Sequence, residues 1–276
     1  MEHINNIMNE YIEESKQKDK KILSTGFGDL DYKINGLKRG ELIVIASRPA
    51  IGKTSLAFNI ATNVAIKENI TVAIFSLEMS KEQCVKRLHT SELSLIRNMN
   101  KNDKSKDIDM NTIEKVAKRL SETKLFIDDI PSLKVQEIED KCIKLKKTEG
   151  LELVVIDYLQ LIQNDEYEDN ICSELKKMAQ RLDITIIITS QLSRKPRDRF
   201  EAGNDPMPII SDISDNISRI ADLLLFIHRD DYYYENSKKP NIADIIIARN
   251  KFGDTGMIEL LFNKMSLRYV NFESND

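Results

Sequence analysis

Ser47-Arg48-Pro49-Ala50-Ile51-Gly52-Lys53-Thr54 follows the apolar run Leu42-Ile43-Val44-Ile45-Ala46 and leads into Ser55-Leu56-Ala57-Phe58-Asn59-Ile60-Ala61, which reads as a helix. Strand, Gly-Lys-Thr turn and helix are the context a P-loop needs. Such a turn aims backbone N–H groups and the positive end of a helix at one spot, which favours a phosphate there. Residues 47–55 are therefore the candidate phosphate cradle, with Lys53 reaching the β- and γ-phosphates and the Thr54 hydroxyl available to Mg²⁺. Ser47 stands where the full pattern has its first glycine, so the loop must take a turn open to other residues. A Gly-Lys-Thr formed by chance between a strand and a helix is the plain alternative.

Outward from this corner the chain alternates apolar runs with helical stretches, the pattern of an α/β fold with a mostly parallel sheet flanked by helices. Thr71–Ser76, Lys124–Asp128, Leu151–Ile156, Ile184–Thr189 and Leu223–Ile227 read as strands, and Ala243–Ala248 and Met257–Phe262 as a hairpin around Phe252-Gly253-Asp254-Thr255-Gly256. Two runs, 151–156 and 184–189, are mainly apolar on both alternating faces, as expected of strands covered on both faces. Helices are expected near 80–97, 111–122, 134–148 and 171–182, with a charged loop over 98–109. Residues 1–21 stand apart. Ile4, Ile7, Met8, Tyr11 and Ile12 form one apolar stripe at helical spacing, and a polar run separates it from the domain beginning at residue 22. A short helix of this kind must bury its stripe, on its own domain or on a neighbouring copy.

Composition narrows the classes. The 276 residues are 41% hydrophobic and 31% charged, with a net charge of −4 that gives no global pull towards nucleic acid, so any basic contact surface must be local. Three scattered cysteines without C-x-x-C spacing argue against a zinc site or a disulfide scaffold and fit a reducing cytoplasm. No apolar run approaches the ~18 residues of a membrane span, and the first residues lack a signal pattern. The expectation is a cytoplasmic protein without membrane attachment.

Ligands of open α/β sheets bind beyond the carboxyl ends of the strands. Glu78 follows the strand 71–76, where a carboxylate can orient or deprotonate a water; alternatively it is a helix N-terminal charge. Asp157 closes the strand 151–156 in the place of a Mg²⁺-side carboxylate; alternatively it caps the next segment. Gln191 follows the strand 184–189, where its amide can meet a γ-phosphate and report its loss. Arg194, Lys195, Arg197 and Arg199 come next, in what reads as a loop interrupted by Pro196. They are either a solvated charge run or a contact to a phosphate backbone. Arg249 and Lys251 end a late strand, from which a cation can reach a site on a neighbouring subunit.

Ser24-Thr25-Gly26-Phe27, Arg48–Thr54, Phe75-Ser76-Leu77-Glu78-Met79, Ile156-Asp157-Tyr158-Leu159-Gln160-Leu161-Ile162, Thr189–Arg194 and Arg229-Asp230-Asp231-Tyr232-Tyr233 occur here in one order. Together they resemble the RecA-like motor domain of DnaB-type replicative DNA helicases, over about residues 22–272. The resemblance implies a RecA-like P-loop NTPase fold and a hexameric ring of identical subunits that encloses single-stranded DNA and hydrolyses ATP with Mg²⁺ at subunit interfaces. It gives Glu78 the role of activating water, Asp157 that of supporting the metal and Gln191 that of sensing the γ-phosphate. Arg229 would lie against the base, and the segment around Asp215 and Asn216 would belong to the DNA loop. The first helix would be a linker docking on the adjacent subunit, and a primase or helicase loader would be a partner. The family's primase-binding domain is not represented, which reads as a motor domain, excised or naturally short.

Three departures qualify the resemblance. The family usually ends its late strand with Lys-x-Arg, the arginine being offered to the neighbour's nucleotide, whereas this chain has Arg249-x-Lys251, and lysine lacks arginine's planar fork. The loop Ser211-Asp212-Ile213-Ser214-Asp215-Asn216-Ile217 lacks the family's arginine and glycine, and the connection from Ile162 to Leu175 is short. Two readings stay open: an ATP-driven translocase that unwinds DNA, and a non-unwinding relative acting as a nucleotide-switched accessory factor. A small-molecule kinase is disfavoured, since no arginine-rich lid segment is visible.

Overall fold

Nine strands pair into one sheet in the order β3-β2-β4-β5-β1-β6-β7-β8-β9. In the chain they are β1 Leu42–Ser47, β2 Thr71–Ser76, β3 Leu125–Asp128, β4 Leu151–Asp157, β5 Thr185–Gln191, β6 Leu223–His228, β7 Ile242–Asn250, β8 Gly256–Asn263 and β9 Arg268–Asn271. From β3 across to β6 every pairing is parallel, and from β6 to β9 every pairing is antiparallel. This is a computed structural model, and it describes residues 3–5, 8, 22–99, 109–163 and 168–272.

The apolar runs read as doubly covered strands are just that. Side chains alternate across a strand, and β4 sends Leu153 and Val155 into one core cluster and Val154 and Ile156 into the other. On the first face lie α1 (Gly28–Ile34), α2 (Lys53–Lys67) and α3 (Lys81–Met99); α4 (Met110–Ser121) packs beside α3. The second face is covered by α5 (Val135–Glu149), α6 (Glu168–Leu182) and α8 (Asp215–Ile220). Helix α2 is buried from Ser55 to Ala65, so its polar residues need partners inside the protein. They have them: Asn59 donates to Ser91, Asn63 donates to the Thr25 carbonyl, and Arg268 of β9 donates to Asn63 at 2.8 Å and to Glu92 at 2.7 Å.

The expected strands, helices and hairpin are present, with ends shifted by a residue or three. Several elements were not anticipated. Gly28–Ile34 is helical, β9 extends the sheet beyond the hairpin, and the segment expected to be a loop around Pro196 is instead helix α7, Lys195–Glu201. Pro196 sits in its first turn, where a missing N–H costs nothing. Short helices also cover Asp215–Ile220 and Asp230–Tyr233 (α9), the first capped by Ser214 accepting from Ile217 N. Of the amino-terminal stripe, Ile4 and Met8 are helical and exposed, while Ile7, Tyr11 and Ile12 lie outside the described residues, as does most of the loop expected over 98–109. Among the described residues no helix is long and apolar enough to cross a membrane.

Candidate active site

The strand tips decide what can meet. β1 ends at Ser47, and the chain turns through Ala50 and Gly52, both with positive φ (62° and 129°), before α2 begins at Lys53. Side by side with β1 come β5, β4 and β2, so Gln191, Asp157 and Glu78 are delivered to the same end of the sheet. Leu77 N–H donates to the Asp157 carbonyl at 2.9 Å, which ties the turn carrying Glu78 to the tip of β4.

A cleft of about 680 Å³ opens here, lined by Pro49, Ala50, Gly52, Lys53, Thr54 and Ser55 from the loop, by Glu78, Gln191 and Arg229, and by Tyr158. Thr54 Oγ1 donates to Asp157 Oδ1 at 3.1 Å, and Thr189 donates to the same oxygen. Asp157 is fully buried, and its Oδ2 has no partner among the described residues. A buried carboxylate oxygen left bare is costly unless something else compensates it. A hard cation held by Thr54, Asp157 and ligand phosphates is what fits, because Mg²⁺ takes one or two carboxylates and completes its shell with phosphate and water. Lys53 Nζ lies 4.9 Å over the Tyr158 ring, and Tyr158's hydroxyl is pushed above its ordinary pKa by burial and by the nearby carboxylates of Glu78 and Asp157.

Three members of the expected cradle face elsewhere. Ser47 and Ile51 are buried, and Arg48 turns away to donate to the carbonyls of Leu192 and Ser193, so none of the three lines the cleft. Arg48 ties the loop to the segment after β5, and Ile51 anchors it in the core. Arg229 is buried beside the loop, donating to Asp231 Oδ1 at 2.9 Å and to the Ile51 carbonyl at 3.3 Å, with its guanidinium 4.6 Å over Phe262. Met79, Arg87, Asp231, Tyr232, Phe262, Lys264 and Leu267 complete the lining, and none was named as a site residue in the sequence analysis. All but Met79 and Arg87 belong to the antiparallel half or the turns around it, where no strand-end rule applies; of these, only the place of Asp231 and Tyr232 in one motif with Arg229 was a signal.

Gln191 and Tyr158 also line a second depression of about 610 Å³, with Gln160, Ser193, Lys195 and Ser211. Gln160 joins the two sides: its Nε2 donates to Ser190 Oγ and its Oε1 accepts from Gln191 N–H. The basic cluster beside it is largely neutralised. Arg194 pairs with Asp198 at 3.1 Å, Arg197 with Glu201 at 2.8 Å, and Lys195 donates to the Ser211 carbonyl at 2.7 Å. Arg199 is corrected to a structural residue: both its terminal nitrogens grip the buried Asp212, and it also holds the Met207 and Asp205 carbonyls. Asp215 and Asn216 are exposed at the start of α8, Asp215 lying 3.7 Å from Arg219.

Arg249 and Lys251 lie at the other end of the sheet. β7 runs against β6, so its last residues are level with Leu223, where the parallel strands begin. The span of β1 separates them from Lys53, roughly 17 Å at the usual rise per residue. Arg249 donates to the Ser218 carbonyl at 2.8 Å, and Lys251 Nζ is 3.4 Å from Asp222.

Residues 23–271 match the family described as DnaB-like helicase C terminal domain. The chain is 41% identical over 261 residues to the replicative DNA helicase DnaB of Geobacillus stearothermophilus, an alignment covering 91% of this chain and 57% of that protein. It thus spans little more than half the length of such curated relatives. The solved ATPase domain of G40P is 32% identical with a TM-score of 0.86, covering 99% of this chain and all of that one. A DnaB-like replicative helicase studied for its interactions with primase superposes with a TM-score of 0.82 at 32% identity, over 99% of this chain and 67% of that one. By fold, by strand-tip chemistry and by sequence over nearly its whole length, this chain belongs to the family of DnaB-like helicase C-terminal domains.

Proposed function

We propose that this chain is the ATP-hydrolysing motor of a replicative DNA helicase, acting on single-stranded DNA in a ring of copies. The observation that carries the reading is Asp157, fully buried under the P-loop with Thr54 on one oxygen and nothing on the other, and with Glu78 on the adjacent strand turn. Thr54 and Asp157 would hold Mg²⁺, which when bound neutralises phosphate charge. Lys53 leans over the same space and supplies a fixed positive charge to the β- and γ-phosphates. Glu78, exposed at the cleft, orients the attacking water and takes its proton. Gln191 spans the boundary between the nucleotide cleft and the second depression, so gain or loss of a γ-phosphate can be felt beyond it.

Arg249 and Lys251 cannot serve their own P-loop from the far end of the sheet. A copy placed head to tail would bring them to its neighbour's, which makes assembly part of the active site. Arg194, Lys195 and Arg197, at the start of one short helix beside the second depression, are the candidate contacts to a DNA phosphate backbone. The relatives' names support the unwinding reading over a non-unwinding accessory, and a DnaB-like relative's association with primase supports primase as a partner. This reading carries with it a cytoplasmic location.

The test is ATP turnover with and without single-stranded DNA, in the native protein and in Lys53→Ala. Turnover in the native protein should require Mg²⁺, rise with DNA and fall per subunit on dilution. Lys53→Ala should lower it by roughly 10²-fold or more, the loss typical of a missing charge-stabilising group. Full turnover in that variant would remove the P-loop from the mechanism.

A further inference from the structure

The two peptide units before Lys53 are held from behind by side chains from the antiparallel half of the sheet. Arg229 Nη1 donates to the Ile51 carbonyl at 3.3 Å. The Tyr269 hydroxyl lies 3.3 Å from the Gly52 carbonyl and 3.5 Å from that of Ile51. Tyr269 belongs to β9 and is fully buried, its own N–H donating to Asn59 Oδ1 of α2 at 2.8 Å and its ring packed 4.6 Å from Phe262. A Cβ at position 52 would sit 2.2 Å from the Tyr269 hydroxyl. Glycine at 52 and tyrosine at 269 are therefore a matched pair.

The geometry of a trans peptide gives this contact a consequence. Its C=O and N–H point in opposite directions from one rigid plane. The Ile51 carbonyl shares a plane with the Gly52 N–H, and the Gly52 carbonyl with the Lys53 N–H. Fixing both carbonyls against the protein turns both N–H groups away from it and into the cleft, where a phosphate would be held. The hydroxyl has one proton, and the nearer Gly52 carbonyl is its main acceptor. Gly52 O also accepts from Leu56 N–H at 3.0 Å, so its two lone pairs are both engaged. Burial pushes the Tyr269 phenol well above its ordinary pKa, which keeps that proton in place at any working pH.

We propose that Tyr269 is a positioning residue for nucleotide binding, orienting the Gly52 and Lys53 amides through the Gly52 carbonyl without touching the ligand. The inference rests on the reading of this corner as a triphosphate site. It explains why the last strand, far from the chemistry in sequence, is threaded beneath the loop.

The experiment measures equilibrium affinity for MgATP, MgGTP and MgADP in the full chain and in Tyr269→Phe, with the nucleotide-free thermal midpoint of each. Phenylalanine keeps the ring and its packing and removes only the hydroxyl. Affinity should fall about two- to tenfold, the range of one hydrogen bond, and by the same factor for ATP and GTP because the hydroxyl meets no base. The nucleotide-free midpoint should move by only a few degrees. A variant that binds all three ligands like the native chain, or whose midpoint falls while affinity among folded molecules holds, overturns the inference and leaves Tyr269 a packing residue. Failure of the native chain to bind MgATP would overturn the triphosphate reading instead, and the inference with it.

Discussion

At the carboxyl tips of the parallel strands, Lys53 and Glu78 have no ion-pair partner among the described residues, and Asp157 keeps one oxygen bare. At the opposite end of the same strands, Asp222 is equally buried and fully engaged. It accepts from Leu42 N–H at 2.9 Å, from Lys176 at 2.6 Å and from Lys251 at 3.4 Å. The residue types are alike; the compensation is not. Charges paired within the chain hold it together, whereas charges left without a partner are poised for something the chain does not contain. The distinction matters more here than proximity to a cleft, because burial alone would rank Asp157 and Asp222 together.

The comparison can be broken by exchanging the consequences of mutation at the two ends. Glu78→Gln should lower turnover by about 10²- to 10⁴-fold, as loss of a positioned proton acceptor does. Its urea-unfolding midpoint should match the native chain, since no ion pair among the described residues depends on it. Asp222→Ala should do the reverse in order of severity, destabilising the fold by about 3 kcal/mol or more because Lys176 is left partly buried without its partner. Rates would then fall only as far as the folded fraction and the placing of Lys251 require. A Glu78 variant that unfolds early, or an Asp222 variant of native stability, would show the two ends to be less different than their contacts.

A smaller contrast lies within the basic helix α7. Arg199→Ala strands the buried Asp212 and should cost about 2–3 kcal/mol in denaturant unfolding. Arg194→Ala removes an exposed pair and should change stability by no more than about 0.5 kcal/mol. If α7 meets DNA, the same Arg194 variant should flatten the salt dependence of single-strand binding by about one unit of slope. An unaltered slope would return Arg194 to ordinary surface.

How far the sequence could be read follows the same division. In the parallel half, period and burial largely coincide: the strands are mainly apolar runs, the cleft opens beyond their carboxyl tips, and Lys53, Glu78, Asp157 and Gln191 could be named from position alone. The antiparallel half has no such rule. Lys264 and Phe262 reach the cleft from a hairpin and its exit turn, and Tyr269 arrives on a strand of four residues, too short for its pattern to stand out. Arg199 was misread for a different reason. Four cations within six residues look like a surface in sequence, and only the fold reveals that Asp212, thirteen residues on, takes one of them inward. Pro196 misled similarly, since a proline ends most helices and begins some.

His228 offers the finest test of whether a buried polar group without a partner costs stability. It ends β6, one residue before Arg229, stacked on Tyr233 with ring centres 5.4 Å apart and with no partner for Nδ1 among the described residues. Asp244 faces it across the β6–β7 pairing, Asp205 and Asp230 lie near, and Lys239 sits 3.6 Å from Asp244 Oδ1. Burial dominates over these carboxylates and holds the imidazole below its ordinary pKa of 6.5. The folded protein therefore keeps His228 neutral at pH values where the unfolded chain takes up a proton. Its stabilising contribution is present above pH 6.5 and is lost as pH falls below that value through the depressed one. Asp244 runs the other way: burial raises its pKa, so its contribution is present at low pH and lost as pH rises through the raised value. Between pH 7.5 and 5.5 the native chain should lose thermal stability, and His228→Phe, which keeps an aromatic ring on Tyr233 and cannot be protonated, should lose less. Equal losses in the two proteins would mean that the imidazole is compensated after all.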